Sequence, residues 1–561
     1  MTVVKRPASI PLQFREWVDL RADEPALFYV SGRQTRGLTW GDLGASVDAW
    51  ILAMHRLGVR AGDRVVQWSG NRVEWICCDL ALQQLRAIHV PLHNTISGQQ
   101  AADQLRHCGA SVLVLGGPEQ FQKLSAYIHH LTDVVLTSHD VVAARGPIAV
   151  RHFPTWIKES SRVEDDEPLL RELVECYQQE LDIDEPTTII YSSGTMGVSK
   201  GVTLSQRNIV SNTKSVVGAF GEQPMDTRLA FLPMSHIFAR TCDVYTWLER
   251  GSRLALAQSH DTIVEDCKRF QPTLINGVPY FFQRVHQKIV ESCKADQPGI
   301  LKKVLGGEIR GCCSGGAALG NETFDFFESH GIPLLQGYGL TETSPVISLS
   351  TLETRKRGTV GQPIEDVEVR IADDGEIMTR GPNVMIGYWR DDAATRSAIR
   401  DGWLYTGDLG SLDDDGSLRV TGRKQEMIVT MTGKNVFPAY LEALLCRDPL
   451  ILQAMVIGND RKYLTALIVP DPDVLRTEIK ARRLWVFRRK SAVRHPTILE
   501  IYRQRIEEQL ADQSRHEQVR GFKLLDRGFR PENGHLTPKL SLRRDLIEQD
   551  FARDIDELYR N

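Results

Sequence analysis

Residues 191–205 read YSSGTMGVSKGVTLS. Ser192, Ser193 and Thr195 supply hydroxyl donors, and Gly194 and Gly197 let the backbone turn its N–H groups toward an anion. Lys200 adds a point charge. This is the chemistry of phosphate binding. It is not a Walker loop, which needs glycine directly before the lysine, a hydroxyl after it and a helix at once. Here Ser199 precedes Lys200, Gly201 follows, and the helix pattern starts only near Ser205, with Ile209, Thr213, Val216 and Val217 on one face. The helix dipole therefore lies too far along the chain to cradle the phosphates. A strand, TTIIY, runs into the loop. Serine- and glycine-rich turns also follow strands without binding anything, so the loop needs corroboration.

The elements around it must position it. The chain has 561 residues, which calls for more than one core. Apolar runs such as DRVVQWSG, IHVPLH and SVLVLGG alternate with amphipathic helical stretches, predicting helix-covered parallel sheets. From Gly358 the pattern changes. EDVEVRIADDGEIMTRG and GSLDDDGSLRVTGR carry Asp-Gly at hairpin turns, and a short-range α plus β pattern follows Arg423. Lys plus Arg (68) nearly balance Asp plus Glu (72), against a general nucleic-acid binder. Ten cysteines without a C-x-x-C pair read as reduced, buried thiols of a cytosolic protein, with no zinc site. No signal-type segment or run of ~18 apolar residues occurs, so a soluble protein or one attached at a membrane surface is expected. KARRLWVFRRKSAVRH, residues 480–495, holds seven Lys/Arg and no acid around Leu484, Trp485, Val486 and Phe487. It could touch anionic lipid, or be a solvated helix with its apolar residues packed inward.

Further segments follow the loop in order: LPMSHIFAR (232–240), CCSGGAALG (312–320), LLQGYGLTETSPV (334–346), RGPNVMIGYWRDD (380–392), DGWLYTGDLG (401–410) and VTGRKQEMIV (420–429). Together they resemble the adenylate-forming, AMP-binding superfamily, and within it the long-chain fatty acyl-CoA synthetases. The resemblance covers nearly the whole chain. It implies a large α/β domain, 1–422, of two helix-covered parallel-type sheets plus a small distorted β-barrel. A hinge at 423–427 and a small mobile α+β lid, 428–561, would follow. It implies ATP, Mg²⁺ and CoA, a long- or medium-chain carboxylic acid, and formation of acyl-AMP before transfer to CoA or to a carrier protein's phosphopantetheine.

The resemblance also assigns roles. Ser192, Ser193, Gly194, Thr195, Gly197 and Lys200 would hold the triphosphate, with Thr195 beside the metal. Gly316, Ala317 and Ala318 would admit the adenine ring, and Tyr338, followed by Gly339, would pack on it. Thr341 would donate near the α-phosphate and Glu342 would hold Mg²⁺. Asp408 would accept from the ribose hydroxyls, and Arg423 would face ribose and phosphate. His236 would sit at the acyl entrance, and Gly433 would let pantetheine pass. Ile237, Phe238, Val278, Tyr280, Phe281 and Phe282 are candidate walls for the acyl tail, or ordinary core.

Three departures from the family pattern stand out. Met196 and Ser199 replace the usual threonine and proline of the loop, at a cost of about 1 kcal/mol for a lost hydrogen bond. Glu426 replaces the hinge aspartate. Residues 536–544 read LTPKLSLRR, so Ser541 stands where the family has its catalytic lysine and Lys539 comes two places earlier. In an extended strand the two positions share a face, roughly 6.5–7 Å apart. Lys539 is therefore expected to take the role. The competing reading is a catalytically weakened protein that binds acyl chain or nucleotide.

Overall fold

The computed structural model describes residues 9–128, 133–137, 149–160, 163–192, 199–259, 261–292, 295, 297–431, 434–486, 488–530, 533–536 and 542–560. Two compact units emerge. One comprises 1–370, 378–406 and 412–419, the other 371–377, 407–411 and 420–561.

The first unit holds two large sheets. The eight-stranded one runs Gly387–Tyr388, Lys200–Ser205, Pro186–Ser192, Ile88–Pro91, Arg64–Trp68, Val112–Leu115, Asp133–Leu136 and Ala149–His152. Its pairings are parallel except at the first edge. There Lys200–Ser205 lies antiparallel to Pro186–Ser192, with Ser192 opposite Lys200. The phosphate-loop candidate is thus the connection of an antiparallel pair at the edge of a mainly parallel sheet. The helix Gln206–Val217 then starts at Ser205, whose hydroxyl accepts from Asn208 N while the Asn208 side chain accepts from Ser205 N. This reciprocal cap fixes the helix start where the sequence signals it.

The nine-stranded sheet of the same unit has Leu334–Gly339, Gly311–Ser314, Leu274–Gly277 and Thr227–Ala230 as parallel central neighbours. Gly311–Ser314 and Leu274–Gly277 are buried along their whole length, as covered parallel strands must be. Toward one edge Val346–Leu349 turns back antiparallel on Leu334–Gly339. Gly339 has no alternative there, since a Cβ would sit 1.7 Å from the Pro345 carbonyl oxygen. The two Asp-Gly hairpins form as the sequence indicates, with Gly375 at φ 84° and Gly416 at φ 77°, and lie in a five-stranded sheet.

In the second unit Ile451–Ile457, Leu464–Pro470 and Val519–Leu524 form a three-stranded sheet. Helices Pro438–Leu445 and Pro496–Gln509 contribute Leu441, Leu445, Ile498 and Tyr502 to the core on one face of it. Residues 480–495 are not one helix. Helix Pro472–Ala481 ends, and a short turn at Arg489–Ala492 follows. Between them Leu484 and Val486 pack on the core, which turns Trp485 outward, 89% exposed. Phe487 lies outside the described residues. Among the described residues Cys77, Cys78, Cys108, Cys242, Cys267, Cys312 and Cys313 are buried free thiols, while Cys176 and Cys446 are exposed. No helix among them is long and apolar enough to cross a membrane.

Candidate active site

Parallel strands end together, so the residues just past them share one edge. Ser314 pairs with Gln336. Gly316, Ala317 and Ala318 therefore leave the sheet beside Tyr338, and all three are exposed. Gly316 takes φ 82°, and a Cβ there would meet only Val278, at 4.0 Å. This rim is open enough for a flat ring. Tyr338 packs beside Cys242, Val346 and Ile347, leaving part of its ring accessible.

Between Gly339 and Val346 the chain makes a short 3-10 turn, Thr341–Thr343. Neighbouring amides pin it. Asn212 and Asn383 both donate through Nδ2 to the Thr343 and Val346 carbonyls. Thr241 Oγ1 donates to Ser344 O at 2.9 Å, and Met385 N donates to Glu342 O at 2.9 Å. The main chain carrying Thr341 and Glu342 is thus held from three directions.

Tyr388 has a place here that the motif RGPNVMIGYWRDD did not reveal. Strand Gly387–Tyr388 pairs with Lys200–Ser205, Tyr388 opposite Val202. Its hydroxyl donates to Glu342 Oε1 at 3.0 Å, and Lys200 Nζ lies 4.7 Å from its ring centre. Burial, and then the negative charge of Glu342, push the Tyr388 phenol up, so it stays a proton-bearing donor. Lys200 and Glu342, far apart in sequence, are brought together through this one ring. Lys200 is exposed and Glu342 half-buried. A carboxylate beside phosphate-binding groups suits magnesium, which takes one or two carboxylates and completes its shell with phosphate oxygens and water.

His236 caps the short helix Ile237–Ala239, its Nδ1 accepting from Phe238 N. Phe238 closes on the strand end, where a Cβ on Gly315 would approach its ring to 3.0 Å. Of the candidate tail walls, Ile237 and Phe282 are fully enclosed, and Phe281 packs edge-on against Phe282. Tyr280 is 57% exposed, so it is a surface residue rather than an interior wall. It follows Pro279, the first residue of helix Pro279–Glu291.

In the second unit Asp408 is buried and Arg423 Nε lies 3.2 Å from its Oδ1, so these two expected ligands already pair. The turn Lys424–Glu426 follows. Lys424 reaches Asp374 and Glu376, and Arg544 forks onto Glu442 with its Nε 3.9 Å from Glu426. Ser193, Gly194, Thr195, Gly197, Gly433, Lys539 and Ser541 lie outside the described residues. Leu536 and Leu542, on either side of the last two, form an antiparallel bridge.

A buried charge cluster escaped sequence reading. Asp79, His89, Arg240 and Tyr245 are enclosed together, with Asp79 bonded to all three others. Burial alone would raise Asp79, but Arg240 and then His89 outweigh it and hold its carboxyl well below the usual range. The signal available was Arg240 itself, a charge directly after the apolar run Ile237–Ala239.

Comparison with known proteins identifies the family. An AMP-binding enzyme model matches residues 14–389, and an AMP-binding enzyme C-terminal domain model matches 425–561. The chain is 33% identical to the long-chain-fatty-acid–CoA ligase FadD15 of Mycobacterium tuberculosis, over 93% of this chain and 92% of that one. It is 25% identical to a long-chain-fatty-acid–[acyl-carrier-protein] ligase of Arabidopsis thaliana, over 93% and 82%. Among solved structures, the adenylation domain of a Mycobacterium chelonae carboxylate reductase superposes with a TM-score of 0.82 at 20% identity, covering 100% of this chain and 92% of that one. The Bacillus subtilis O-succinylbenzoate coenzyme A synthetase with ATP and magnesium superposes at 0.72 and 23% identity, covering 95% and 98%. With its ordered motifs carried on this fold, the chain belongs to the AMP-binding enzyme family.

Proposed function

We propose that the chain is an ATP- and magnesium-dependent fatty acid–CoA ligase acting on long- or medium-chain acids in the cytoplasm. The similarity to FadD15, along almost the full length of both chains, carries this reading. The acid's carboxylate oxygen attacks the α-phosphorus of ATP, and the bond to pyrophosphate breaks. The thiol sulfur of CoA then attacks the acyl carbon, the bond to AMP breaks, and the thiol proton leaves to solvent.

In this reading Ser192, Ser193, Gly194, Thr195, Gly197 and Lys200 hold the triphosphate. Tyr338, Gly339 and Gly316–Ala318 flank adenine, Asp408 and Arg423 hold ribose, and Thr341 and Lys539 face the α-phosphate. Glu342, with Thr195, would hold magnesium, which neutralises phosphate charge when bound. Tyr388 orients Glu342. His236 borders the carboxylate, and Gly433 the pantetheine path. The division into 1–422, a 423–427 hinge and a 428–561 lid accounts for two half-reactions at one site.

Pyrophosphate–ATP exchange across acids from acetate to oleate, with aromatic acids included, tests the reading. Exchange rising with chain length supports it; exchange only with aromatic or short acids, or with none despite ATP binding, overturns it. The similarity to the Arabidopsis carrier-protein ligase favours a second acceptor. Offering CoA and acyl carrier protein separately decides which thiol gains the acyl chain.

Residues 480–495 add a membrane-surface contact to this proposal. Seven cations flank an outward Trp485 along the chain, which suits an anionic bilayer holding a hydrophobic substrate. Vesicles containing phosphatidylserine should sediment the protein, and Trp485→Ala should weaken this. Equal binding to neutral vesicles, or none, removes the idea.

A further inference from the structure

We propose that Arg240 is a positioning residue for acyl-AMP formation, setting the spacing between the carboxylate side and the phosphate side of the site. The inference rests on the ligase reading above and names how that site is held.

Arg240 follows His236 by one turn, and its backbone N–H donates to His236 O at 3.1 Å. It opens a π-helical stretch, Arg240–Tyr245, a rare wide turn that occurs frequently at functional sites. Its side chain is fully enclosed. Nη1 donates to Thr188 Oγ1 at 2.7 Å, and that hydroxyl donates onward to His89 O at 2.7 Å. Nη2 donates to Asp79 Oδ1. Nε reaches Asp79 Oδ2 at 3.3 Å and the Tyr245 hydroxyl. Tyr245 in turn donates to Asp79 Oδ2 at 2.8 Å.

Thr188 lies on the strand Pro186–Ser192, which ends at the phosphate loop. The planar guanidinium therefore spans from the His236 segment to the phosphate-loop strand, while Asp79 fixes its plane. Replacing such a buried ion pair by apolar groups is often neutral or stabilising, so stability alone gives little reason for it. Its geometry does, because the fork sets directions that an apolar contact or a lysine cannot. A reacting pair displaced by about 1 Å can lose 10²-fold in rate.

The experiment compares Arg240→Lys, Thr188→Val and Thr188→Ser in the full-length protein. Lysine keeps a cation beside Asp79 but loses the fork; valine keeps the shape of Thr188 but loses the oxygen; serine restores the oxygen. The expected result is a kcat for acyl-AMP formation lowered about 10- to 100-fold in Arg240→Lys and less in Thr188→Val. KM for ATP should stay near wild type, Thr188→Ser should recover the rate, and thioester formation from supplied acyl-AMP should be unchanged. Hydrogen–deuterium exchange is expected to rise together at 236–240 and 189–192 in Thr188→Val.

Wild-type kcat in Thr188→Val with unchanged exchange at either segment overturns the proposal, as does a Thr188→Ser variant as slow as the valine one. Should Arg240→Lys fail to fold, the threonine pair still decides. The acid that best supports wild-type exchange is used throughout. A preference for non-fatty acids would then refute the substrate reading while leaving positioning measurable. If no acid reacts, the hydrogen–deuterium result judges the coupling.

Discussion

Lys539→Ala is expected to slow acyl-AMP formation by about 10²–10³-fold, the usual loss when one preorganised charge stabiliser is removed. The attacking carboxylate and the α-phosphate are both anionic, so bringing them together requires a cation at the reacting oxygens. The family pattern offers a lysine at the position held here by Ser541, and Lys539 is the nearest lysine in sequence to it. A serine hydroxyl cannot supply that charge. Ser541→Ala should accordingly leave pyrophosphate–ATP exchange close to the wild-type rate. In the Lys539→Ala background, Ser541→Lys should restore much of the loss. Thioester formation from supplied acyl-AMP, which needs no such neutralisation, should persist in all three. Undiminished exchange in Lys539→Ala would refute the role and favour the weakened-protein reading, provided exchange in the wild type is also weak.

Asp243→Asn is expected to stabilise the protein more at pH 8 than at pH 5. Asp243 is buried on the π-helical stretch. Its Oδ1 accepts from Asn276 Nδ2 at 2.7 Å, while Oδ2 has no hydrogen-bond partner among the described residues. Burial pushes its carboxyl up to about 7, with Arg228 and Asn276 opposing. A folded-state value above the unfolded one means the folded protein keeps a proton that the unfolded chain has released. Wild-type stability from this group is therefore full below about pH 4 and is lost as pH rises toward 7. Asparagine has no proton to lose. It should remove a pH-dependent penalty on the order of 2–4 kcal/mol. Any fixed cost of the new amide appears at both pH values and cancels in the comparison. Urea unfolding midpoints of both proteins at pH 5 and pH 8 measure it. An equal difference at the two would show that Asp243 does not titrate between them.

The contrast between Asp79 and Asp243 has one cause. Both are enclosed, and burial raises both. Asp79 touches Arg240 directly and is held down, whereas the Arg228 guanidinium is already forked onto Glu222, which leaves Asp243 chiefly an amide partner. A buried carboxylate keeps its charge only where a cation is committed to it.

Sequence alone determined the features that depend on near neighbours. The Asp-Gly turns, the Ser205 cap and the periodic face of Gln206–Val217 each follow from a few adjacent residues. The ordered motifs identified the family because their spacing is a property of the chain itself. Only tertiary structure decided what depends on strands meeting. The Ser192–Lys200 pairing, the Tyr388 bond to Glu342 and the Arg240 bond to Thr188 join residues whose separation carries no periodic signal. The outward Trp485 and exposed Tyr280 belong here too, since which side of a short segment faces a core is settled by the core it meets. Local hydrogen bonds and side-chain periods are written along the chain; charge pairing and burial are set by which elements pack together.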